Sequence, residues 1–543
     1  MNLDTFFEKF DLFADAPNAV AKMRELILWL AVRGKLTKQN LGEESGQELL
    51  ARIWRNLAQQ KSITKPSSFA IDTTESLPSL PMSWVWARFC EVAIIASNLV
   101  DPSDYLDSIH LAPDNIEKGT GKLLPCRTIR EDEVKSSKHR FYSGQVVYSK
   151  IRPNLAKVVV VNFDGLCSAD MYPIDSLIDA KFLQIFMLSD IFLAQAVKSD
   201  TRVAMPKINQ TELNAICVSI PPLAEQKRIV AKVDELMALC DRLEAQQQQR
   251  ETRHTALAQA SLTRFADAPT TANLELLFHK AFSVVPSQLR KTIIDLAVQG
   301  RLISQNTDDG TAAAFVHQLQ IQRRDSYEGG RIAAEKAHTR PPKRPSNDFN
   351  AYVSEQIEGM PTGWCETRIG DIAECLDYLR VPVNKAERLG DRGEIPYYGA
   401  NGQVGWIDKY LFNEPLVLVV EDETFIGRVK PFSYMIYGKS WVNNHAHVLR
   451  PLTGMSAEYL NLCLCQYPFI PLTSGTTGRR KLTQASLLDA KLWVAPPPEQ
   501  KRIVAKVEQL MGLVDRLEAQ LAESRAKATA LLDAVVAELS AAA

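Results

Sequence analysis

The sequence predicts an α+β fold with a pseudo-two-fold internal repeat, in which two α/β-mixed domains are carried on two long coiled-coil helices. Three observations predict it. The stretch Glu225–Gln246 recurs at Glu499–Gln520, starting 274 residues later. Only four of its 22 positions differ, all mildly: Asp234/Glu508, Glu235/Gln509, Ala238/Gly512 and Cys240/Val514. A second pair, Met23–Asn40 and Leu289–Asn306, shares the core LAV-x-G-x-L, and each copy lies downstream of an FADAP, at Phe13–Pro17 and Phe265–Pro269. A third pair is built around a tryptophan, LPMSWVWARF at Leu80–Phe89 and MPTGWCETRI at Met360–Ile369. Two copies at so long a period are a tandem duplication, not a solenoid. The halves are approximately 1–264 and 265–543.

The long helices start after prolines, Pro221-Pro222 and Pro496-Pro497-Pro498, which suit a helix start but not its interior. Glu225 and Glu499 then sit in the first turn, at the positive end of the helix dipole. In the second copy Ile503, Val507, Leu510, Val514, Leu517, Leu521, Ala528, Leu531 and Val535 make a heptad seam, the pattern of a coiled coil. The first copy keeps the seam through Leu243, turns polar at Gln247, Arg250 and His254, and recovers at Leu257. About 40 residues at about 1.5 Å each give a rod of roughly 60 Å. The surface of the repeat is as constant as its seam. Gln226, Lys227, Arg228 and Lys232, with Gln500, Lys501, Arg502 and Lys506, therefore read as equivalent docking faces for one kind of partner.

In chain order, residues 1–79 are a helical region and linker, with helices at Ala19–Val32, stopped by Gly34, and at Gly46–Gln60. A mixed domain occupies 80–220. Residues 221–345 hold the long helix 223–264, the helical repeat 265–322 and a basic linker, 323–345, whose Pro, Gly and charge content argues for a mobile connector. A second mixed domain follows at 346–495, and a long helix at 496–543. After their tryptophans the mixed domains diverge completely. Short β-type runs bounded by turn residues mark both: GQVVYSKI and KVVVVNF in the first, PLVLVVED and HVLRP in the second. Each domain closes with a helix, Lys181–Val197 and Ser456–Cys465.

Composition excludes several classes. The net charge is −1, so any nucleic-acid contact must come from local basic patches. The nine cysteines form no C-x-x-C and fit reduced thiols, which points to the cytoplasm. The first residues have no apolar h-region, and no run of about 18 apolar residues occurs. Gly438–Ser440 and Gly119–Leu123 lack the upstream glycine of a phosphate loop. No N/D-P-P-Y/F/W motif of amino-methyltransferases, helicase motif or nuclease constellation is present. His445-x-His447 would place two imidazoles on one strand face, but no cysteine stands at ligand spacing, so no metal is expected. The chain reads as non-enzymatic.

The order of these parts resembles the specificity subunits of type I restriction–modification systems, over essentially the whole chain. The resemblance rests on the PP-x-x-EQ-x-x-I-V helix starts and the tryptophan landmarks. It rests also on GQVVYSKIRPNLAKVVVV with CSADMYPI in the first domain, and IPYYGANGQVGWIDKY, VNNHAHVLRP and SGTTGRRKL in the second. It implies two target recognition domains, each reading half of an asymmetric bipartite site in double-stranded DNA. It also implies that the long helices pair antiparallel, set the spacer and dock two modification subunits, with restriction subunits joining the full complex. No cofactor is then expected on this chain; S-adenosylmethionine, ATP and Mg belong to the partners. Half-sites one helical turn apart, about 34–36 Å, are within reach of the rod. The closing loop of the first domain departs from the pattern, reading SDTRVAMPKI at Ser199–Ile208. A coiled-coil scaffold or a stand-alone DNA-binding regulator is the alternative reading.

DNA contact needs phosphate grips and base-edge readers. In the first domain the candidates are Lys150, Arg152, Asn154 and Lys157 around a proline turn, with Arg202 and Lys207 on the closing loop. In the second they are Thr476, Thr477, Arg479, Arg480 and Lys481, where free backbone amides meet three cations. Asn401, Asn443, Asn444 and His445 are the amide and imidazole readers.

Overall fold

A computed structural model describes residues 16, 18–40, 42–59, 77–96, 98–197, 206–279, 282–340, 342, 344, 348–384, 393–423, 425–475 and 480–542. The chain forms two compact units. One holds Met1–Arg250 together with Glu523–Ala543; the other holds Glu251–Ala522. The boundary therefore differs from the linear halves at 264/265, because each unit takes the start of one long helix and the end of the other. In the first unit Ile229, Val233, Leu236 and Cys240 are buried in the same core as Leu532, with Ala528, Val535 and Val536 against it. In the second, Ala258, Leu262 and Phe265 share a core with Ile503, Val507, Leu510 and Val514. Start beside end in both units is antiparallel pairing.

The long helices span Leu223–Asp267 and Pro497–Ala542. The heptad seam holds at the start of the second and slips by its end: Leu531 is 41% exposed and Leu532 fully buried. A straight α-helix drifts about 20° per heptad from a 3.5-residue repeat. Four heptads, Ile503 to Leu531, therefore accumulate about 80°, close to the roughly 100° that separates neighbouring residues.

The two units share a framework. The strand after each tryptophan pairs antiparallel with the strand that closes the mixed domain: Val85–Arg88 with Cys217–Ile220, and Cys365–Arg368 with Lys491–Val494. A four-stranded antiparallel sheet follows in the same order in both. In the first unit it runs Ala93–Ile95, Met171–Ser176, Val146–Ser149, Val158–Val160; in the second, Ala373–Cys375, Ala446–Pro451, Leu416–Val420, Ser433–Ile436. The mixed domains thus do not diverge completely. They keep one core sheet, whose central strands stay apolar and buried while their residues change. The outer sheets differ. The first unit has five strands, Leu99–Val100, Lys138–Phe141, Gly165–Cys167, Ile109–Leu111 and Arg127–Thr128; the second has four, Gly402–Ile407, Ile395–Gly399, Lys439–Val442 and Phe412–Asn413.

Two helices depart from expectation. The run Lys181–Val197 is two helices, Ala180–Leu188 and Asp190–Ala196, because the Ser189 backbone turns extended and its hydroxyl caps the second. The segment from Arg323 is not wholly a connector: the helix Ala312–Lys336 carries straight through Gly329-Gly330, with Leu319, Gln320 and Ala334 buried along it.

Each helical repeat meets its domain at a glycine. Gly34 and Gly300 both have φ +67°, and a Cβ on either would lie 2.4 Å from Cγ of Pro81 or Pro361, just before the landmark tryptophan. Replacing Gly300 by Ala combines left-handed strain with a backbone-fixed clash and should cost about 2 kcal/mol or more, read as a shift in the urea midpoint.

Candidate nucleic-acid interface

The first reader's candidates gather round one turn. Arg152 (φ +49°) and Ala156 (φ +47°) bracket a one-turn helix at Pro153–Leu155. The Arg152 N–H donates to the Pro206 carbonyl at 2.8 Å, and the Ile208 N–H to that of Lys150 at 3.0 Å. This lays Lys207 beside the turn. Arg152 and Asn154 stand exposed. Lys207, half-exposed, pairs with Asp170 at 3.0 Å. Two lysines are already occupied. Lys150 donates to the Ala169 carbonyl at 2.7 Å and lies over the Tyr172 ring. Lys157 has a side chain only 14% exposed; it donates to the Pro113 carbonyl at 2.7 Å and pairs with Asp114 at 3.3 Å. These two hold the turn's surroundings and are not free grips. Arg202 lies outside the described residues.

In the second reader the parallel pairing of Tyr397–Tyr398 with Trp441–Val442 brings Asn401, Asn444 and His445 to one end of the outer sheet. All three are exposed. His445 Nδ1 is 2.7 Å from Asp422. Asn443 is buried instead: its backbone N–H donates to Tyr398 and its side-chain oxygen accepts from the His445 N–H at 2.9 Å. It shapes the turn that presents its neighbours, so it is not a base reader. Arg480 donates to Oγ1 and the carbonyl of Thr473, at 2.7 and 3.0 Å, stapling the hairpin formed by Thr473–Ser474 and Arg480–Leu482. Lys481 remains 56% exposed and pairs with Glu421 at 2.9 Å. Thr476, Thr477 and Arg479 lie outside the described residues.

Sequence reasoning missed a charged cluster beneath this hairpin. The side chains of Asp377, Arg380, Glu421 and His447 are 9, 12, 7 and 1% exposed. His447 Nδ1 meets Asp377 at 2.5 Å and its Nε2 meets the Leu482 carbonyl at 2.8 Å. Arg380 bridges Asp377 at 3.2 Å, Glu421, and the Ala446 carbonyl at 2.7 Å. Burial pushes the Asp377 and Glu421 carboxyls up. The His447 contacts on Asp377, and the Arg380 and Lys481 contacts on Glu421, more than offset it, so both carboxyls fall below their ordinary range. Cys375 converges with Asp377 and His447 closely enough for metal ligands. The cations already opposite both carboxylates make the group an ion-pair cluster. His445 precedes the Ala446–Pro451 strand and is exposed, so it does not share a strand face with buried His447.

The repeated helix start also acts differently from its reading. Gln226 and Gln500 are fully buried. Gln226 accepts from the Asp179 N–H at 2.9 Å and donates to the Pro221 carbonyl; Gln500 does the same with Ser456 and Ala495. Each amide thus joins the long helix to the N-terminal cap of the helix that closes the reader, so neither contacts a docking partner directly. Arg228 and Arg502 pair with Glu43 and Asp309, at 2.5 and 2.6 Å at closest. Lys227 and Lys501 are exposed; Lys232 and Lys506, half-exposed, bond Glu235 and Gln509. Glu225 accepts from Trp84 Nε1 at 3.0 Å and Glu499 from Trp364 Nε1 at 3.1 Å. The recurrence of tryptophan and glutamate in both halves was the available signal for this contact.

The chain matches a known sequence family twice, once in each unit. The family described as Type I restriction modification DNA specificity domain matches residues 114–251 and 361–524, more than half of the chain. The chain belongs to this family. Each match takes in most of one reader and the start of the long helix behind it; the first begins at residue 114, after the Trp84 landmark. The Escherichia coli type I restriction enzyme EcoDI specificity subunit is 41% identical over 256 residues, 47% of this chain and 55% of that protein, so this alignment spans about half of that relative's length. The E. coli EcoEI specificity subunit is 24% identical over an alignment covering 97% of this chain and 94% of that protein. A solved chain of a type I R-M system has 18% identity, covers 85% of this chain and 99% of that chain, and gives a TM-score of 0.48. No helix among the described residues is long and apolar enough to cross a membrane.

Burial raises the Glu225 and Glu499 carboxyls, against hydrogen bonds from Trp84 and Trp364 that lower them. A folded-state value above the unfolded one means stability is fullest below the ordinary value of 4.5 and is lost as pH rises through the raised one. Relative to a Glu225→Gln, Glu499→Gln variant, the natural chain should therefore lose stability as pH climbs from 4.5, measured by urea melts across pH. A constant difference would remove the burial argument.

Proposed function

We propose that this specificity-family chain binds an asymmetric bipartite DNA site, one half on each reader. It holds the site for two modification subunits, which methylate adenine N6 in each half, and for restriction subunits that act when the site is unmodified. S-adenosylmethionine, ATP and Mg are used by those partners; this chain recognises and positions and carries out no covalent step. The observation that supports this most is the duplicated frame with unlike outer faces. Both readers keep the same four-stranded core and the same attachment to a long helix, while the outer sheets and exposed polar ends differ. Such a frame suits two different half-sites and one repeated partner. The Lys227 and Lys501 surfaces are the equivalent docking faces on this reading, with Lys232 and Lys506 one turn along.

Exchange of residues 80–220 for the first reader of another family member tests the function. Selection from a randomised duplex should yield a site changed in one half only; a change in both halves defeats the two-reader account. A scaffold with no DNA role predicts no salt-dependent affinity at all, whereas each phosphate contact carries a salt dependence. Arg152→Gln should weaken binding and lower the slope of log affinity against log salt by about 1. Lys157→Gln should lower the melting temperature while leaving that slope unchanged.

A further inference from the structure

We propose that the buried ion cluster of the second unit is the positioning device of its DNA-reading hairpin, so that Asp377, Arg380, Glu421 and His447 determine recognition of that half-site without touching it. This rests on the reading of the second unit as a DNA reader. Taking four charged or polar side chains out of water is expensive, and apolar residues of similar volume would often hold a core as well. What the cluster adds is direction, because its bonds end on the hairpin's return strand. His447 Nε2 meets the Leu482 carbonyl at 2.8 Å, and Glu421 meets Lys481 at 2.9 Å. The Leu482 N–H donates to the Glu421 backbone carbonyl at 2.8 Å, and the Glu421 N–H to the His445 carbonyl at 3.1 Å. Arg380 ties the other side to Asp377, Glu421 and the Ala446 carbonyl. One hub thereby fixes both Lys481 and the turn carrying Asn444 and His445, three exposed polar residues of this reader.

The first unit shows that the common core does not need such a hub. Its corresponding segment is held by backbone bonds from Arg152 to Pro206 and from Ile208 to Lys150, with a half-exposed Lys207–Asp170 pair. The cluster sits at one end of the shared sheet, with His447 in the Ala446–Pro451 strand itself, and its bonds run outward to the hairpin and to the turn at His445, contacts the first unit makes without such a hub.

The test uses the full chain assembled with its modification subunits and the duplex selected from a randomised library. Discrimination for each half-site is the ratio of Kd with that half scrambled to Kd with the site intact, and reader exchange assigns the halves. His447→Leu should lower discrimination for the second unit's half-site at least tenfold and leave the other half unchanged. Amide exchange at 480–482 should quicken while the Leu416–Val420 strand stays protected. His447→Gln, which keeps one amide donor, should recover part of the loss. Should His447→Leu fail to fold, Asp377→Asn, which still accepts from the Val448 N–H, is read by the same measures. Equal loss at both half-sites, or unchanged discrimination in a folded variant, overturns the proposal. Unfolding of both variants also overturns it, because the cluster would then hold the core and not the hairpin. Absence of discrimination by the unaltered assembly would instead overturn the DNA-reading function on which the proposal stands.

Discussion

In each unit a glutamate in the first turn of a long helix is taken out of water to accept a hydrogen bond from a buried indole, Glu225 from Trp84 and Glu499 from Trp364. The rest of the architecture depends on this contact. The tryptophan stands just before the strand that opens a reader, and the glutamate stands where the helix behind that reader begins. A reader is thus fastened at its opening to the helix that carries it. Gln226 and Gln500 fasten the closing helix to the same turn. Gln39 and Gln305, from the helical repeats, reach the same two glutamates. Three segments distant in sequence therefore converge on the first turn of a long helix, twice.

This explains why the helix start is the most constant stretch of the repeat. Constancy of surface residues suggested a face for partners, yet Gln226, Gln500, Arg228 and Arg502 spend their polar groups inside their own unit. Exposure, not constancy, separates a docking surface from an internal joint, and it leaves Lys227 and Lys501 facing solvent. The readers differ in the same way. Each keeps the shared sheet and builds its own outer face, and the second supports its face with buried charges where the first relies on backbone pairing.

The repeat, the starts of the long helices and the core strands were legible because duplication, proline placement and apolar periodicity act locally. Val146–Tyr148 and Leu416–Val420 are continuous apolar runs and lie in strands. The shared strand order was not legible, since nothing local to Val158–Val160 says which strand it joins. The same limit governs the site. Lys150 and Arg152 look alike in sequence, but only the fold brings the Ala169 carbonyl to one and leaves the other in solvent. The cluster of Asp377, Arg380, Glu421 and His447 draws on positions up to 70 residues apart, and no spacing rule gathers them. At the distal end of the coiled coil Leu532 takes the place expected for Leu531, while Ala528 and Val535 pack as expected, for a general reason, the mismatch between 3.6 and 3.5 residues per turn.

On the proposed function, two unlike readers on one duplicated frame recognise two unlike half-sites as one target. Mapping methylated adenines across the genome of a host expressing this chain with its modification subunits tests it most directly. The result expected is one asymmetric bipartite motif with an unspecified spacer and an adenine modified in each half. A single uninterrupted motif, or a modification pattern unchanged when this chain is deleted, would contradict it.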